Sequence, residues 1–243
     1  MRFALLSCES VMAKTHYPVD AEHVMRELSR ADRLLAKVIR RIGSFPTKKR
    51  KPQHPFASLL QTIVYQQLAG KAAEAIFGRV KALGANGFPT PEEILGASTL
   101  KLRGAGLSRQ KIAAVRDLAA KTLDGTVPTL AKIRRMSEEE IHERLTQVHG
   151  IGEWSVQMFL MFRLGRPDVL PVYDYGIQKG FQRVYGHRNV PKPKFILEHG
   201  ERWRPYRSIA CWYLWRALDE KRTKPKRKMP KRQMKVNKIS AGR

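Results

Sequence analysis

Residues 145–156 read L-T-Q-V-H-G-I-G-E-W-S-V, and this stretch decides the fold. A helix with an apolar face is predicted to end here, followed by a Gly-x-Gly turn at Gly150 and Gly152 and at once by a second helix. Glycine tolerates positive φ and close backbone approach. The unpaired N–H groups that open the second helix form an anion site, which can hold a phosphate without reading base sequence. On this stretch alone, a plain turn between two packed helices remains open.

The rest of the chain is also predicted to be helical. Apolar residues recur at helical spacing, and no segment alternates with a period of two. Predicted helices cover residues 20–42, 55–83 with a polar interruption at 66–67, 91–95 with Thr90 as N-cap, 108–123, 137–146 opened by a capping box, 154–164, and 194–220 with an interruption at Pro205. The expected fold is all-α.

A second informative stretch, L-P-V-Y-D-Y-G-I, occupies residues 170–177. Its acidic residue, Asp174, follows an apolar segment that contains proline and is predicted to open a helix. An aspartate in this place is commonly an N-cap. Its position 20 residues after Trp154 raises the alternative that it is a functional carboxylate next to the glycine turn.

Composition favours a polyanionic partner. The 243 residues carry 47 Lys plus Arg against 21 Asp plus Glu, a formal net charge of +26. Nucleic acid is the first candidate and an anionic membrane surface the second, although charge alone would also fit ribosomal and histone-like proteins. Two distant cysteines suggest neither a disulfide framework nor a zinc or iron–sulfur site, and a reducing compartment is the default. No apolar run approaches the roughly 20 residues that span a bilayer.

Both ends are expected to differ from the body. Residues 1–19 are interpreted as a poorly ordered or misassigned start, and residues 20–220 as the folded domain. Residues 221–243 contain 11 Lys or Arg and no acidic residue, which predicts a disordered tail. The tail would add phosphate affinity without sequence preference, or would serve as a solubilising or localising extension.

Four ordered blocks resemble the helix-hairpin-helix (HhH-GPD) DNA glycosylase superfamily, and within it the alkylpurine branch known as 3-methyladenine DNA glycosylase II. They are V-H-G-I-G-E-W-S with L-P-V-Y-D-Y-G-I, then I-V-Y-Q-Q-L-A with K-A-A at 63–73, G-L-S-R-Q-K at 106–111, and E-R-W-R-P-Y-R-S at 201–208 with Trp215. The resemblance runs from about Asp20 to Glu220. It implies a short form without an N-terminal β domain, built from two helical subdomains with a cleft between them.

The resemblance implies a reaction. Asp174 would be the carboxylate that stabilises the oxocarbenium-like sugar as the N-glycosidic bond of an alkylated purine breaks. Bifunctional relatives carry a lysine nucleophile at the position of Trp154, and an indole cannot form a Schiff base. Hydrolysis without strand cleavage is therefore expected. The lesion stays open among 3-methyladenine, 7-methylguanine, ethenoadenine and hypoxanthine.

The resemblance also implies a binding surface for double-stranded DNA with a flipped-out damaged base. The base pocket would be formed by Trp154, Trp215, Met158 and Tyr65. The DNA contacts would be Leu68 as the wedge with its neighbour Gln67, the hairpin residues Gly150, Gly152 and Ser155, and the basic residues Lys71 and Arg109. Main-chain carbonyls of Thr146, Val148 and Ile151 would hold a structural Na⁺ or K⁺, with no catalytic cofactor.

Other interpretations remain at this point. The tryptophans and Leu68 could be ordinary core residues. The chain could be a non-catalytic helix-hairpin-helix module that binds DNA, or a basic protein that binds RNA or ribosomes. The expected protein is a monomer, intracellular and associated with DNA rather than with membranes.

Overall fold

The computed structural model describes residues 17–47, 54–68 and 70–223, and every regular element among them is a helix. The all-α prediction is confirmed. Predictions about residues 1–16, Cys8 included, and about the tail beyond Thr223 lie outside the described residues. Cys211 is a buried free thiol. No helix of the described residues is long and apolar enough to cross a membrane.

The described residues form α-helices together with a π-helical turn at Leu160–Leu164 and a 3₁₀ turn at Glu201–Trp203. In chain order the α-helices are α1 (Ala21–Ala31), α2 (Arg33–Ile42), α3 (Pro55–Tyr65), α4 (Gly70–Lys81), α5 (Pro91–Gly96), α6 (Thr99–Gly104), α7 (Arg109–Leu123), α8 (Leu130–Ile133), α9 (Glu138–Thr146), α10 (Glu153–Phe159), α11 (Tyr175–Tyr185), α12 (Pro193–Gly200) and α13 (Arg207–Thr223).

Side-chain caps explain most of the helix starts. Thr90 and Ser137 each form a complete capping box, and Ser108 accepts from a main-chain N–H of the first turn of α7. These predicted starts are confirmed. Ser98 and Thr129 cap α6 and α8 in the same way, and these two short helices were not predicted because too few apolar positions repeat within them.

Three predicted helices are divided in the structure. The helix predicted over 20–42 breaks at Asp32, whose carboxylate caps α2 by accepting from two main-chain N–H groups. The helix predicted over 55–83 breaks after Tyr65 in a turn where Gln67 has φ +59°. The segment predicted from 194 ends at Gly200 and resumes at Arg207, in α13, which runs three residues into the predicted tail.

The helices pack as two groups. Helices α3 to α7 pack together with the hairpin pair α9 and α10, whereas α11 and α13 pack on each other and on α2, with α1 and α12 alongside. Tyr17 is fully buried and packs edge-on against Phe45 at 6.1 Å between ring centroids. The folded part therefore includes residues 17–19, which the sequence interpretation had assigned to the opening segment.

Candidate active site

Asp174 stands where the two groups of helices meet, at the start of α11. Its Oδ1 accepts the main-chain N–H of Ile177 at 2.8 Å, so the N-cap prediction is confirmed. The segment that leads to Asp174 begins with a turn at Gly165, which has φ +68°. At its end, the Asp174 N–H donates to the Pro171 carbonyl. The backbone on both sides of the carboxylate is thus fixed.

Two indole N–H groups complete the surroundings of the carboxylate. Nε1 of Trp154 donates to Oδ2 of Asp174 at 2.8 Å, and Nε1 of Trp215 donates to Oδ1 at 3.0 Å. Trp154 belongs to α10 of the first group, whereas Trp215 belongs to α13 of the second. The carboxylate therefore bridges the groups, and its orientation is determined by three donors from three helices.

The two tryptophans differ in how much surface they present. Trp154 is 38% exposed, whereas Trp215 is 3% exposed and lies against Phe162 at 5.6 Å between ring centroids. Of the two indoles, Trp154 therefore offers the larger open surface next to Asp174. Met158, one turn further along α10, is half-buried against the core.

The helix-hairpin-helix turn has a positive φ at one of its two glycines. Gly150 has φ +81°, as glycine there predicted, whereas Gly152, the N-cap residue of α10, has φ −100°, which other residues also adopt. Both are exposed. Within residues 17–47, 54–68 and 70–223, no acceptor is found for the main-chain N–H of either glycine. Two main-chain donors, one in the turn and one at the N-cap of α10, are therefore available to an anion.

Side chains of α7 hold this turn in place. Asp117 accepts the main-chain N–H of His149 at 2.7 Å, and Lys121 donates to the Gln147 carbonyl at 2.7 Å and to Asp117 at 2.7 Å. Burial alone would raise the pKa of Asp117, but the bonds from His149 and Lys121 outweigh it and lower that pKa. Sequence reasoning missed this pair because an Asp and a Lys four residues apart on a helix look like an ordinary surface ion pair.

The turn between α3 and α4 lies beside the hairpin. Nε2 of Gln66 donates to the Gly150 carbonyl at 2.9 Å. Gln67 is exposed, and Leu68 is half-exposed. Leu68 is not among the described apolar side chains that pack against the core, so the described structure gives no support to its interpretation as a core residue.

The remaining predicted site residues lie in different surroundings. Lys71 and Arg109 are exposed at the starts of α4 and α7. Tyr65 is half-buried and packs edge-on against Phe77 at 5.8 Å between ring centroids. Ser155 is only 5% exposed, so its side chain offers little surface to DNA, and its predicted DNA contact stays a prediction. Position 155 falls on the inner face of α10, which the hairpin motif alone does not reveal.

Comparison with known proteins identifies the class of this chain. The sequence pattern of the HhH-GPD superfamily of base excision DNA repair proteins matches residues 60–205. The chain belongs to this superfamily, which confirms the resemblance seen in its motifs.

Individual relatives agree with this assignment. DNA-3-methyladenine glycosylase 1 of Schizosaccharomyces pombe is 38% identical over 191 residues, covering 78% of this chain and 84% of that protein. The solved structure of the S. pombe 3-methyladenine DNA glycosylase Mag1 in complex with abasic DNA superimposes with a TM-score of 0.72 at 37% identity, over 80% of this chain and 95% of that one. A DNA-3-methyladenine glycosidase from Bacillus halodurans gives a TM-score of 0.73 at 36% identity, over 80% and 88% of the two chains.

Proposed function

We propose that this protein is a DNA glycosylase that hydrolyses the N-glycosidic bond of alkylated purines in duplex DNA, with Asp174 as the catalytic carboxylate. The observation that carries the proposal is the carboxylate fixed by two indole N–H groups and a main-chain N–H at the junction of the helix groups. Family membership and the names of the relatives support the same reaction.

The hydrogen bonds leave Asp174 one free acceptor position for chemistry. Each carboxylate oxygen can accept about two hydrogen bonds. Oδ1 receives two, from Trp215 and Ile177, whereas Oδ2 receives only that of Trp154 among the described residues. As the bond from C1′ to the base nitrogen breaks, its electron pair leaves with the base. The fixed negative charge stabilises the sugar cation, and Oδ2 can accept a proton from the water that adds to C1′. The products are a free base and an abasic site.

The damaged base would be recognised next to this carboxylate. An N-alkylated purine is electron-poor or cationic, so it stacks well on an electron-rich indole. The exposed surface of Trp154 is the first candidate for that contact, and Met158 and Tyr65 are the further pocket residues that the family resemblance suggests. Trp215 is buried, so it would orient Asp174 through its hydrogen bond and would not form an open wall of the base pocket.

The DNA would be held by two turns on either side of the Gln66–Gly150 bond. The N–H groups of Gly150 and Gly152 would bind a phosphate, and Leu68 would enter the stack to fill the space left by the flipped base. Exposed Lys71 and Arg109 would contribute phosphate contacts. The protein would act as a monomer on DNA inside the cell, since a single active site needs no second copy.

The predicted monovalent cation, Na⁺ or K⁺, would bind at the hairpin. The main-chain carbonyl oxygens of Thr146, Val148 and Ile151 would hold it, and neutral oxygens of this kind are ligands of hard cations. The Lys121 ammonium bonds to Gln147 and not to these three, and Val148 uses one lone pair for the Ile151 N–H. When bound, the ion would stiffen the turn, and it would take no part in the reaction.

Release of alkylpurines without strand breakage is the expected outcome for the purified protein on methylated duplex DNA. Because Trp154 lacks an amine, no covalent intermediate forms and no β-elimination follows. Chromatography of the released bases and a denaturing gel run without alkali measure the two properties. Nicked DNA before alkali treatment would contradict the monofunctional mechanism, and the absence of any released base would favour a non-catalytic DNA-binding protein.

Gly176→Ala is expected to lower the excision rate at least about tenfold. A Cβ at this position would lie 2.7 Å from Nε1 of Trp215 and 2.9 Å from Oδ1 of Asp174, so the bond between them must open, with strain of about 1–3 kcal/mol. The matched control is Gly78→Ala in α4, where a Cβ meets nothing within 4 Å. That change should leave excision unaltered and raise stability by about 0.5–1 kcal/mol. Single-turnover rates and thermal unfolding of both variants provide the comparison.

A further inference from the structure

One face of α7 supports both turns that are proposed to contact DNA. Lys111, Ala114, Asp117 and Lys121 recur at spacings of three to four residues and share this face. Asp117 and Lys121 hold the hairpin backbone, and a Cβ added to Gly150 would lie 3.3 Å from that of Ala114. The first member, Lys111, contacts the other turn, between α3 and α4.

Lys111 binds the end of α3. Its ammonium donates to the Val64 carbonyl at 2.6 Å and to the Gln66 carbonyl at 2.8 Å. The side chain is half-buried, and no carboxylate partner is found for it among the described residues. Burial lowers the pKa of this lysine. An ammonium placed at the C-terminal end of a helix is stabilised by the free carbonyls there, which offsets part of the desolvation.

The segment that Lys111 fixes is the wedge turn, residues 66–68. Its middle residue, Gln67, has φ +59°, a conformation that disfavours residues with a Cβ. The turn is bonded at one end to α7 through the Gln66 carbonyl and across to the hairpin through the Gln66 side chain. Leu68 follows directly, so any looseness in this turn moves the wedge.

We propose that Lys111 and Gln66 are positioning residues that lock the wedge turn against α7 and the hairpin, so that Leu68 enters the duplex while a phosphate is bound at Gly150. This assignment rests on the proposed function. Unstacking a base costs a few kcal/mol per step. If the turn that carries Leu68 were not anchored, the turn would move when Leu68 met the base stack, and the base would stay in place. The two residues therefore act on base extrusion and leave the bond-breaking step to Asp174.

The test compares two duplexes that differ only in pairing. In one the damaged purine is paired, and in the other it faces an abasic-site analogue, so that it is already unpaired. Lys111→Met should lower the single-turnover excision rate about 10–100-fold on the paired duplex and less than about 3-fold on the unpaired one, each relative to the unaltered protein. Lys111→Arg keeps the charge and the donors and should recover most of the loss. A 2-aminopurine beside the lesion should lose its extrusion signal in Lys111→Met.

A matched control removes an equal charge elsewhere. Lys132 in α8 is exposed, and Lys132→Met should change neither rate by more than about twofold. Gln66→Ala removes only the exposed bond to the Gly150 carbonyl, and it should show the same loss on the paired duplex alone. It replaces Lys111→Met in the test if that variant does not fold. Equal losses on both duplexes, or no loss, would overturn the positioning assignment. Failure of the unaltered protein to release base from either duplex would instead refute the proposed function.

Discussion

Asp174→Asn is expected to lower base release by at least about 10³-fold, equivalent to about 4 kcal/mol of transition-state stabilisation. The amide removes the negative charge that opposes the sugar cation. Its NH₂ group would also face a donor where Oδ2 now accepts from Trp154. The Ile177 cap survives because the amide oxygen can still accept. Single-turnover excision and binding to undamaged duplex should separate the two effects, with affinity retained within about threefold.

Asp20→Asn provides the matched control for this change. Asp20 is also an N-cap aspartate, accepting from Glu22 and His23 at the exposed start of α1. The same atoms are exchanged there, far along the chain from the indoles, so excision should be unchanged. Substantial residual activity in Asp174→Asn, or an equal loss in both variants, would show that Asp174 only caps α11.

Asp32→Asn is expected to destabilise the fold by about 3–5 kcal/mol, the usual consequence of removing one partner from a buried charged network. The carboxylate is 4% exposed. Its Oδ1 caps α2, and its Oδ2 accepts from Tyr185, His199 and Trp203, the last two at 2.9 and 3.0 Å. An amide cannot accept from all these donors, so buried N–H and O–H groups would lose their partners. Urea unfolding measures the loss, and a change below about 1 kcal/mol would contradict the argument.

The same network predicts how stability depends on pH. Burial alone would raise the pKa of Asp32, but the bonds from His199, the Leu35 N–H, Tyr185 and Trp203 outweigh it and hold that pKa well below its ordinary value of 3.8. The unfolded chain therefore binds this proton at a higher pH than the folded chain does. The contribution is complete above the ordinary carboxyl range and is lost as the pH falls below it. Acid unfolding of Asp32→Asn should lack this component.

Local signals in the sequence were enough to predict most helices. Thr90, Ser108 and Ser137 are caps whose partners lie within the next turn, so spacing alone locates them. The break at Asp32 was missed because the apolar stripe continues from α1 into α2 without interruption. The cap that Asp32 forms on α2 is local, but its second carboxylate oxygen is held by Tyr185, His199 and Trp203, more than 150 residues along the chain. No local pattern records those partners.

The candidate site also has residues that the sequence identified and contacts that it did not. Asp174, Trp154 and Trp215 were identified together through family motifs, and the structure brings them within hydrogen-bond distance. Their mutual bonds were not foreseen, since an indole was expected to act through its face. Lys111 and Gln66 lie within the quoted family motifs, but their roles were not predicted because they bond to main-chain carbonyls. Every residue has such a carbonyl, so composition and spacing give no hint of which one a side chain will reach.

The indole of Trp154 limits how readily this scaffold could change its reaction class. A lysine at that position would introduce an amine for Schiff-base chemistry, and it would exchange the neutral indole N–H donor at Oδ2 of Asp174 for a charged ammonium. That ammonium would form an ion pair with the carboxylate, which would lower the net negative charge that faces the sugar. A single exchange at position 154 would therefore change the electrostatics of hydrolysis at the same time as it supplies the nucleophile.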